Sequence, residues 1–268
     1  MGIHLLPLSP SKFSTRPYKI SYSKLVQNQL NEGMIKFINP SYVFYLTGKI
    51  LHFIKILIIP IFVIGIVFSL FISPKDYIQG DAARIMYVHV PSAWISLLCF
   101  ALISFFCILH FVFKIKGSAL IYKSLAPIGL TFNFIAIFTG SLWGQPTWGT
   151  WWAWDTRLTS MLILMFFYIF FILSYKFIKN SDRSSKICTS ISVLGLLNLI
   201  IIKYSVDWWS TLHQPSSINI IGETTVHFSM LIPLAIMLLV FLLYTALIFL
   251  MKYRIETIRV KKKGLKKL

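Results

Sequence analysis

The chain has 268 residues, of which 57% are hydrophobic and only 13% charged, and its mean hydropathy is +0.75. Soluble domains carry about 25% charged residues, and disordered chains are poor in apolar ones, so both classes are excluded. The net charge of +18 would suggest nucleic acid in a soluble protein, but here the basic residues stand at the ends of apolar runs. The composition therefore predicts an all-α, polytopic integral membrane protein that binds no nucleic acid.

The first 48 residues differ from the rest of the chain. They combine scattered serines and prolines with several basic residues and a single acid, Glu32. No continuous apolar stretch of the signal-peptide type occurs before residue 50. Residues 1–48 are interpreted as a basic extension, and three origins stay open: a tail, a transit-like segment, or a misassigned start upstream of Met34.

Six apolar runs follow, and each is long enough to cross a bilayer at about 20 residues per helix. They lie at 56–72, 91–113, 125–142, 158–178, 187–206 and 228–251. The runs are continuous rather than alternating, which indicates helices and not barrel strands. The fifth contains Asn198 and several serines, so we expect it to face other helices rather than lipid. The chain is thus predicted to comprise a six-span membrane domain, 49–251, and a basic C-terminal tail, 252–268.

The connecting segments alternate in charge. One set is rich in lysine and arginine, at 49–55, 114–123, 176–186 and 252–267. The other set is nearly balanced, at 73–90, 143–157 and 207–227. Basic loops are retained on the cytoplasmic (or matrix) side, so both termini are predicted to lie there. The three balanced loops then face outward on the same side of the membrane, and the six spans contact the lipid bilayer.

The middle outer loop concentrates the tryptophans of the chain, at Trp143, Trp148, Trp151, Trp152 and Trp154. Tryptophan favours membrane interfaces, so an aromatic belt is one interpretation. A belt needs only one or two such residues per span end, and this cluster is interrupted by glycines and a proline. Several indoles on one loop favour an exposed apolar shelf for a large, flat ligand such as a macrocycle.

The other two outer loops each carry a histidine. His89 precedes Pro91 and is expected just outside the start of the second span, and His213 follows the fifth span. Each histidine alone is typical of a hydrogen-bonded interface anchor. Together, on one side of the membrane and flanking the tryptophans, they would suit a bis-imidazole iron site. Arg84 and Arg157 are outward-facing cations that could meet ligand carboxylates, although Arg157 could equally pair with Asp155.

Each of the three outer loops contains a motif that resembles one in a known family. The run W-G-x3-W-G-x2-W-x-W-D-x-R-L-T over residues 143–159 resembles the tryptophan-rich "WWD" signature of haem-handling proteins. Its Arg-Leu-Thr ending is similar to the cytochrome c maturation protein C branch (CcmC, haem exporter protein C). The segments MYVHVPSAW and WWSTLHQP, which contain His89 and His213, match the two outer-loop histidine motifs of that family. The resemblance covers roughly residues 50–250 and omits the first 48.

This resemblance implies six spans with both termini inside, in agreement with the charge pattern. It implies that the aromatic loop contacts haem b and that His89 and His213 are its axial ligands. The cofactor-binding set expected from motif and charge is completed by Trp143, Trp148, Trp151, Trp152, Trp154, Asp155, Arg157 and Arg84. The implied partners are a membrane-anchored haem chaperone (CcmE), the ABC transporter subunits CcmA and CcmB, and the small membrane protein CcmD.

The predicted function is to bind haem b at the outer face and present it to the chaperone for c-type cytochrome biogenesis. No enzyme is indicated, because the loops hold no nucleophile–base set, carboxylate pair or metal-ligand spacing. No Walker motif occurs, so any ATP hydrolysis is expected in a partner subunit. Two alternatives are a secondary transporter or channel with an aromatic outer gate, and a purely structural subunit. The expected location is the bacterial inner membrane, with the mitochondrial inner membrane as the alternative.

Overall fold

The computed structural model describes residues 40–213 and 226–265. Most of the predicted N-terminal extension, the loop segment 214–225 and the last three residues lie outside this part of the chain. The described residues form six long helices: α1 Pro40–Val67, α2 Met86–Phe113, α3 Lys116–Trp148, α4 Thr156–Phe177, α5 Ser181–Trp208 and α6 Phe228–Leu265. A π-helical turn, Phe68–Ile72, continues α1, and a 3₁₀ turn, Asp81–Ile85, leads into α2.

The predicted all-α fold with six membrane-spanning helices is confirmed. Six helices in the described residues are long and apolar enough to cross a bilayer. The helices extend beyond the apolar runs: α1 begins at Pro40, so Lys49 and Lys55 lie on it, and α6 continues to Leu265, into the predicted tail. Lysine is a good helix former, so a helix need not end where its hydrocarbon-facing stretch does.

The helices pack around a central pair, α2 and α3, within the unit Leu46–Leu268. Helix α2 also contacts α5 and α6, while α3 contacts α4 and α6. Their facing apolar side chains form the main core, and its fully buried members include Phe100, Ile103, Leu164 and Phe171. The most apolar stretch of α1 is only 17% buried, so this helix exposes most of its surface to the surroundings.

Polar side chains join the helices at three places inside this core. The Asn198 amide of α5 donates to the Ser160 carbonyl of α4 at 2.9 Å. The Tyr168 hydroxyl donates to the Ser96 carbonyl at 2.6 Å, and Ser104 Oγ donates to the Ser192 carbonyl at 3.1 Å. In a bilayer such groups must find their partners within the protein. Asn198 is 6% exposed and so faces other helices, as expected, whereas Leu194 and Leu197 of the same span are 54% and 56% exposed.

The tryptophan-rich segment is only partly a loop. Helix α3 continues through Pro146 to Trp148, so Trp143 and Trp148 lie on helix rather than in the predicted loop that begins at residue 143. The helix ends because Gly149 adopts a left-handed conformation, φ 74°, and its N–H bonds the Gln145 carbonyl at 3.0 Å. The loop proper is therefore confined to residues 149–155.

Candidate functional site

A cavity of about 450 Å³ opens at the end of the helices that carries the three charge-balanced segments, the end predicted to face outward. Residues from α2, α3, α4 and α5 line it, together with the segments before α2 and after α5. Small-ligand sites commonly measure about 300–1,000 Å³ and are mostly apolar with a few polar groups. The basic and imidazole side chains on this cavity are His89, Arg157, Lys203 and His213.

His89 is fixed on a helix. The sequence placed it just outside the second span, but α2 begins at Met86 and passes through Pro91. The 3₁₀ turn before Met86 leads directly into the helix, which continues past the proline at the cost of one backbone hydrogen bond. His89 Nδ1 lies 3.0 Å from the Ala136 carbonyl oxygen and 3.2 Å from Thr139 Oγ1, both on α3. A carbonyl only accepts, so Nδ1 donates and the ring carries its lone pair on Nε2.

Helix α3 also provides the space for the His89 ring. A Cβ atom built at Gly140 would lie 2.9 Å from His89 Cε1, closer than real Cβ contacts allow. One turn further, the Trp143 ring meets the imidazole edge-on, with 5.7 Å between centroids. Trp143 Nε1 donates to Gln79 Oε1 at 2.8 Å, which ties this indole to the first outer loop. The orientation of His89 thus depends on the close approach of α2 and α3.

His213 is held differently, by side chains from the end of α3 and the start of α4. Arg157 Nη1 lies 3.3 Å from His213 Nδ1, and the Trp148 ring lies 6.3 Å from the imidazole between centroids. Because a guanidinium only donates, Nδ1 of His213 is the acceptor.

Asp155 joins the start of α4 to the segment that carries His213. Its Oδ1 accepts from the Leu158 N–H at 2.8 Å, which caps the helix, and its Oδ2 accepts from the Leu212 N–H at 3.2 Å. Among the described ion pairs, none joins Asp155 to Arg157. The aspartate of the tryptophan motif therefore has a positioning role in this structure.

Only some of the predicted tryptophan shelf faces the cavity. Trp143, Trp148 and Trp152 line it, whereas Trp151 and Trp154 are 57% and 78% exposed and are not among its lining residues. The Trp152 Nε1–H is buried without a hydrogen-bond partner in the described part of the chain. An orphaned buried donor is costly and is satisfied when a ligand supplies an acceptor. The exposure of the other two indoles is typical of membrane-interface residues.

Arg84, also predicted to meet the ligand, is engaged elsewhere. Its Nε donates to Asp81 Oδ1 at 2.9 Å, and its Nη1 donates to the carbonyl oxygens of Ser69 and Leu70 at the π-helical end of α1. It is not among the residues that line the cavity. The proposed ligand contact of Arg84 stays a prediction without support from these contacts.

His227 lines a neighbouring cavity of about 510 Å³ and contacts Ser229 Oγ at 2.7 Å.

The sequence did not single out Gln79, Trp94 or Gly140, which also line the cavity. Trp94 ends the MYVHVPSAW motif, but nothing in the local sequence marks Gln79 or Gly140, because their roles come from the approach of separate segments. Lys203 was visible as an ionisable residue within an apolar run, but its place on the cavity depends on the rotation of α5.

Comparison with known proteins gives one consistent result. The family model for CcmC, heme exporter protein C, matches residues 33–267. The heme exporter protein C of Bradyrhizobium diazoefficiens is 37% identical over 226 residues, covering 84% of this chain and 86% of that protein. The protein of the same name from Escherichia coli K12 is 35% identical, covering 80% and 86% of the two chains.

A plant relative extends the comparison to organelles. A Marchantia polymorpha protein described as a putative cytochrome c biosynthesis ccmC-like mitochondrial protein is 41% identical over 190 residues, covering 71% of this chain and 80% of its own. Both the matched family and the extent of these similarities lead to the same conclusion. The chain belongs to the haem exporter protein C family.

Proposed function

We propose that the protein binds haem b in the outer cavity and presents it to a membrane-anchored haem chaperone for c-type cytochrome biogenesis. The observation that carries this proposal is the position of two imidazoles, His89 and His213, on one cavity. They come from separate segments, and four indoles line the same cavity: three from the tryptophan-rich segment, and Trp94 of α2. Imidazole nitrogens are the common axial ligands of haem iron, and apolar aromatic walls suit a porphyrin.

The contacts of His89 suit a ligand role. A metal-binding histidine usually donates its other ring N–H to a carbonyl or carboxylate, which sets the tautomer and the ring orientation. His89 makes this contact through Nδ1 with the Ala136 carbonyl oxygen at 3.0 Å. Its Nε2 is then the nitrogen for iron. The buried Trp152 N–H provides a donor for a polar group of the bound haem.

His213 needs a rearrangement before it binds iron. Its Nδ1 accepts from Arg157 at 3.3 Å, so a neutral ring carries its proton on Nε2. Ligation through Nε2 requires Arg157 to leave Nδ1 and the proton to shift to that nitrogen. The guanidinium is then available for a haem carboxylate, which it pairs with well. Release of His213 from Arg157 would therefore accompany haem binding, with His213 holding the iron and Arg157 a carboxylate.

The handover requires partners. We infer an export complex with the ABC transporter subunits CcmA and CcmB, the small protein CcmD and the chaperone CcmE, and no catalytic activity in this chain. Docking can release haem only if the docked and free states differ in haem affinity. The charge pattern supports cytoplasmic or matrix termini and an outward-facing cavity. The protein is assigned to the inner membrane of a bacterium or a mitochondrion, since relatives of both kinds are similar to it.

The test is spectroscopic, on the protein purified in detergent with haem. We expect a low-spin, six-coordinate absorption spectrum. His89→Ala and His213→Ala should each lose haem or convert it to a high-spin form. His110→Ala is the matched control, because His110 contacts the Ile115 carbonyl oxygen near the inner end of α2 and does not line the cavity. An unchanged low-spin spectrum in both cavity variants would exclude the proposed ligands.

A further inference from the structure

Lys203 is a charged residue within a membrane-spanning helix. It lies on α5, five residues before the helix ends at Trp208, and it lines the outer cavity together with Arg157 and His213. Its neighbour Ile202, which also lines the cavity, is 1% exposed and belongs to the main core. The core contact of Ile202 fixes this turn of α5 beside the cavity.

Within the described ranges, 40–213 and 226–265, no acid lies within ion-pair distance of Lys203. The ion pairs found there join Lys75 and Arg84 to Asp81, and Arg259 to Glu256. Asp207, one helical turn further on, is not within 4.0 Å of the ammonium. A lysine in a membrane span is costly, and such residues usually pair or mark a binding pathway.

We propose that Lys203 binds a carboxylate of the ligand in the outer cavity, which rests on the proposed haem function. The cavity then offers two cations from different helices, Arg157 on α4 and Lys203 on α5. Haem b carries two propionate carboxylates, so a pair of separate cations matches its charged groups. Arg84 is not needed for this pairing, because its guanidinium is bound to Asp81 and to the end of α1.

A structural role for Lys203 makes a different prediction. Lysines near helix ends extend their stems toward the interface and place the ammonium in water, without any ligand. Such a residue would affect the stability of the protein but would not distinguish haem from a haem whose carboxylates are masked. The test therefore compares haem with its dimethyl ester, in which both propionates are uncharged.

The experiment measures the affinity of the purified full-length protein for haem and for haem dimethyl ester, by absorption titration and by transfer to a haem scavenger. Lys203→Gln should weaken haem binding about twofold to fivefold, the effect of one exposed charge pair. The same variant should bind the ester as the wild type does, and Lys203→Arg should recover most of the haem affinity. Lys176→Gln, at the inner end of α4, is the matched control and should bind both compounds normally.

The outcomes separate this inference from the function on which it rests. If Lys203→Gln binds haem as tightly as the wild type, or loses affinity for haem and ester equally, the carboxylate contact is excluded while haem binding stands. If the wild type itself shows no low-spin haem spectrum, the proposed function fails first.

Discussion

The two candidate haem ligands are held in different ways. His89 lies on α2, and its ring is fixed by the backbone and surface of α3, through the Ala136 carbonyl and the space left by Gly140. His213 lies beyond the end of α5, and its imidazole contacts the side chains of Arg157, at 3.3 Å, and Trp148. One imidazole is therefore preorganised by helix packing, whereas the other contacts side chains that can exchange partners.

This difference suits a protein that must both hold and release a ligand. A ring held by backbone contacts on packed helices keeps its position, because packed interiors resist displacement. A ring held by a guanidinium and a loop can change partners at low cost. We therefore expect release to begin at His213 and the His89 contact to persist longer, and the variants below test the two sides separately.

The largest effect is expected from Gly140→Ala, on the His89 side. The new Cβ would lie 2.9 Å from His89 Cε1, so the ring must move away from its Ala136 contact. We expect loss of the low-spin haem spectrum and a decrease of about 1–3 kcal/mol in the free energy of unfolding. The matched control is Gly117→Ala, where a Cβ meets nothing within 4 Å. A wild-type spectrum in Gly140→Ala would show that His89 is not constrained by α3.

An intermediate effect is expected from Asp155→Ala, on the His213 side. The variant loses the cap of α4 and also the bond from the Leu212 N–H. A hydrogen bond to a charged group contributes about 1.5 kcal/mol, so haem affinity should fall about tenfold, with partial conversion to high spin.

Asn180→Ala provides the control for this variant. Asn180 caps α5 through the Arg183 N–H at 2.9 Å, at the opposite end of the membrane span from the cavity. Both variants should lower the melting temperature, since losing a cap costs about 0.5–2 kcal/mol. Only Asp155→Ala should alter the haem spectrum, and equal spectra in the two variants would contradict the positioning role of Asp155.

The smallest effect is expected from Thr139→Val. Thr139 Oγ1 lies 3.2 Å from His89 Nδ1, but the Ala136 carbonyl at 3.0 Å remains after the substitution. Haem affinity should change less than about fivefold, since one of two shared acceptors contributes below about 1 kcal/mol. Thr131→Val, which removes a hydroxyl that donates to the Pro127 carbonyl on the same helix, serves as the control in a haem titration. A large loss in Thr139→Val would make the hydroxyl, rather than the backbone, the main partner of His89.

Part of the site could be predicted from motif and charge. His89, His213, Arg157 and three of the five clustered tryptophans meet at one cavity, as the shared outer side of their segments indicated. The other two tryptophans, Trp151 and Trp154, are largely exposed, and Arg84 binds Asp81 instead. The two tryptophans share the motif but do not line the cavity, because a local sequence does not specify which way each side chain of a turn or helix faces.

The number of spans and the burial of Asn198 between helices could be read from the sequence alone. The bilayer acts on each segment separately, through hydrophobic length and flanking charge, so these properties are readable one segment at a time. Only the tertiary structure decided that Gly140 makes room for His89, that Asp155 joins α4 to Leu212, and that Lys203 faces the cavity. Those relations depend on how closely separate helices approach and how each is rotated, and packing of the whole bundle sets both.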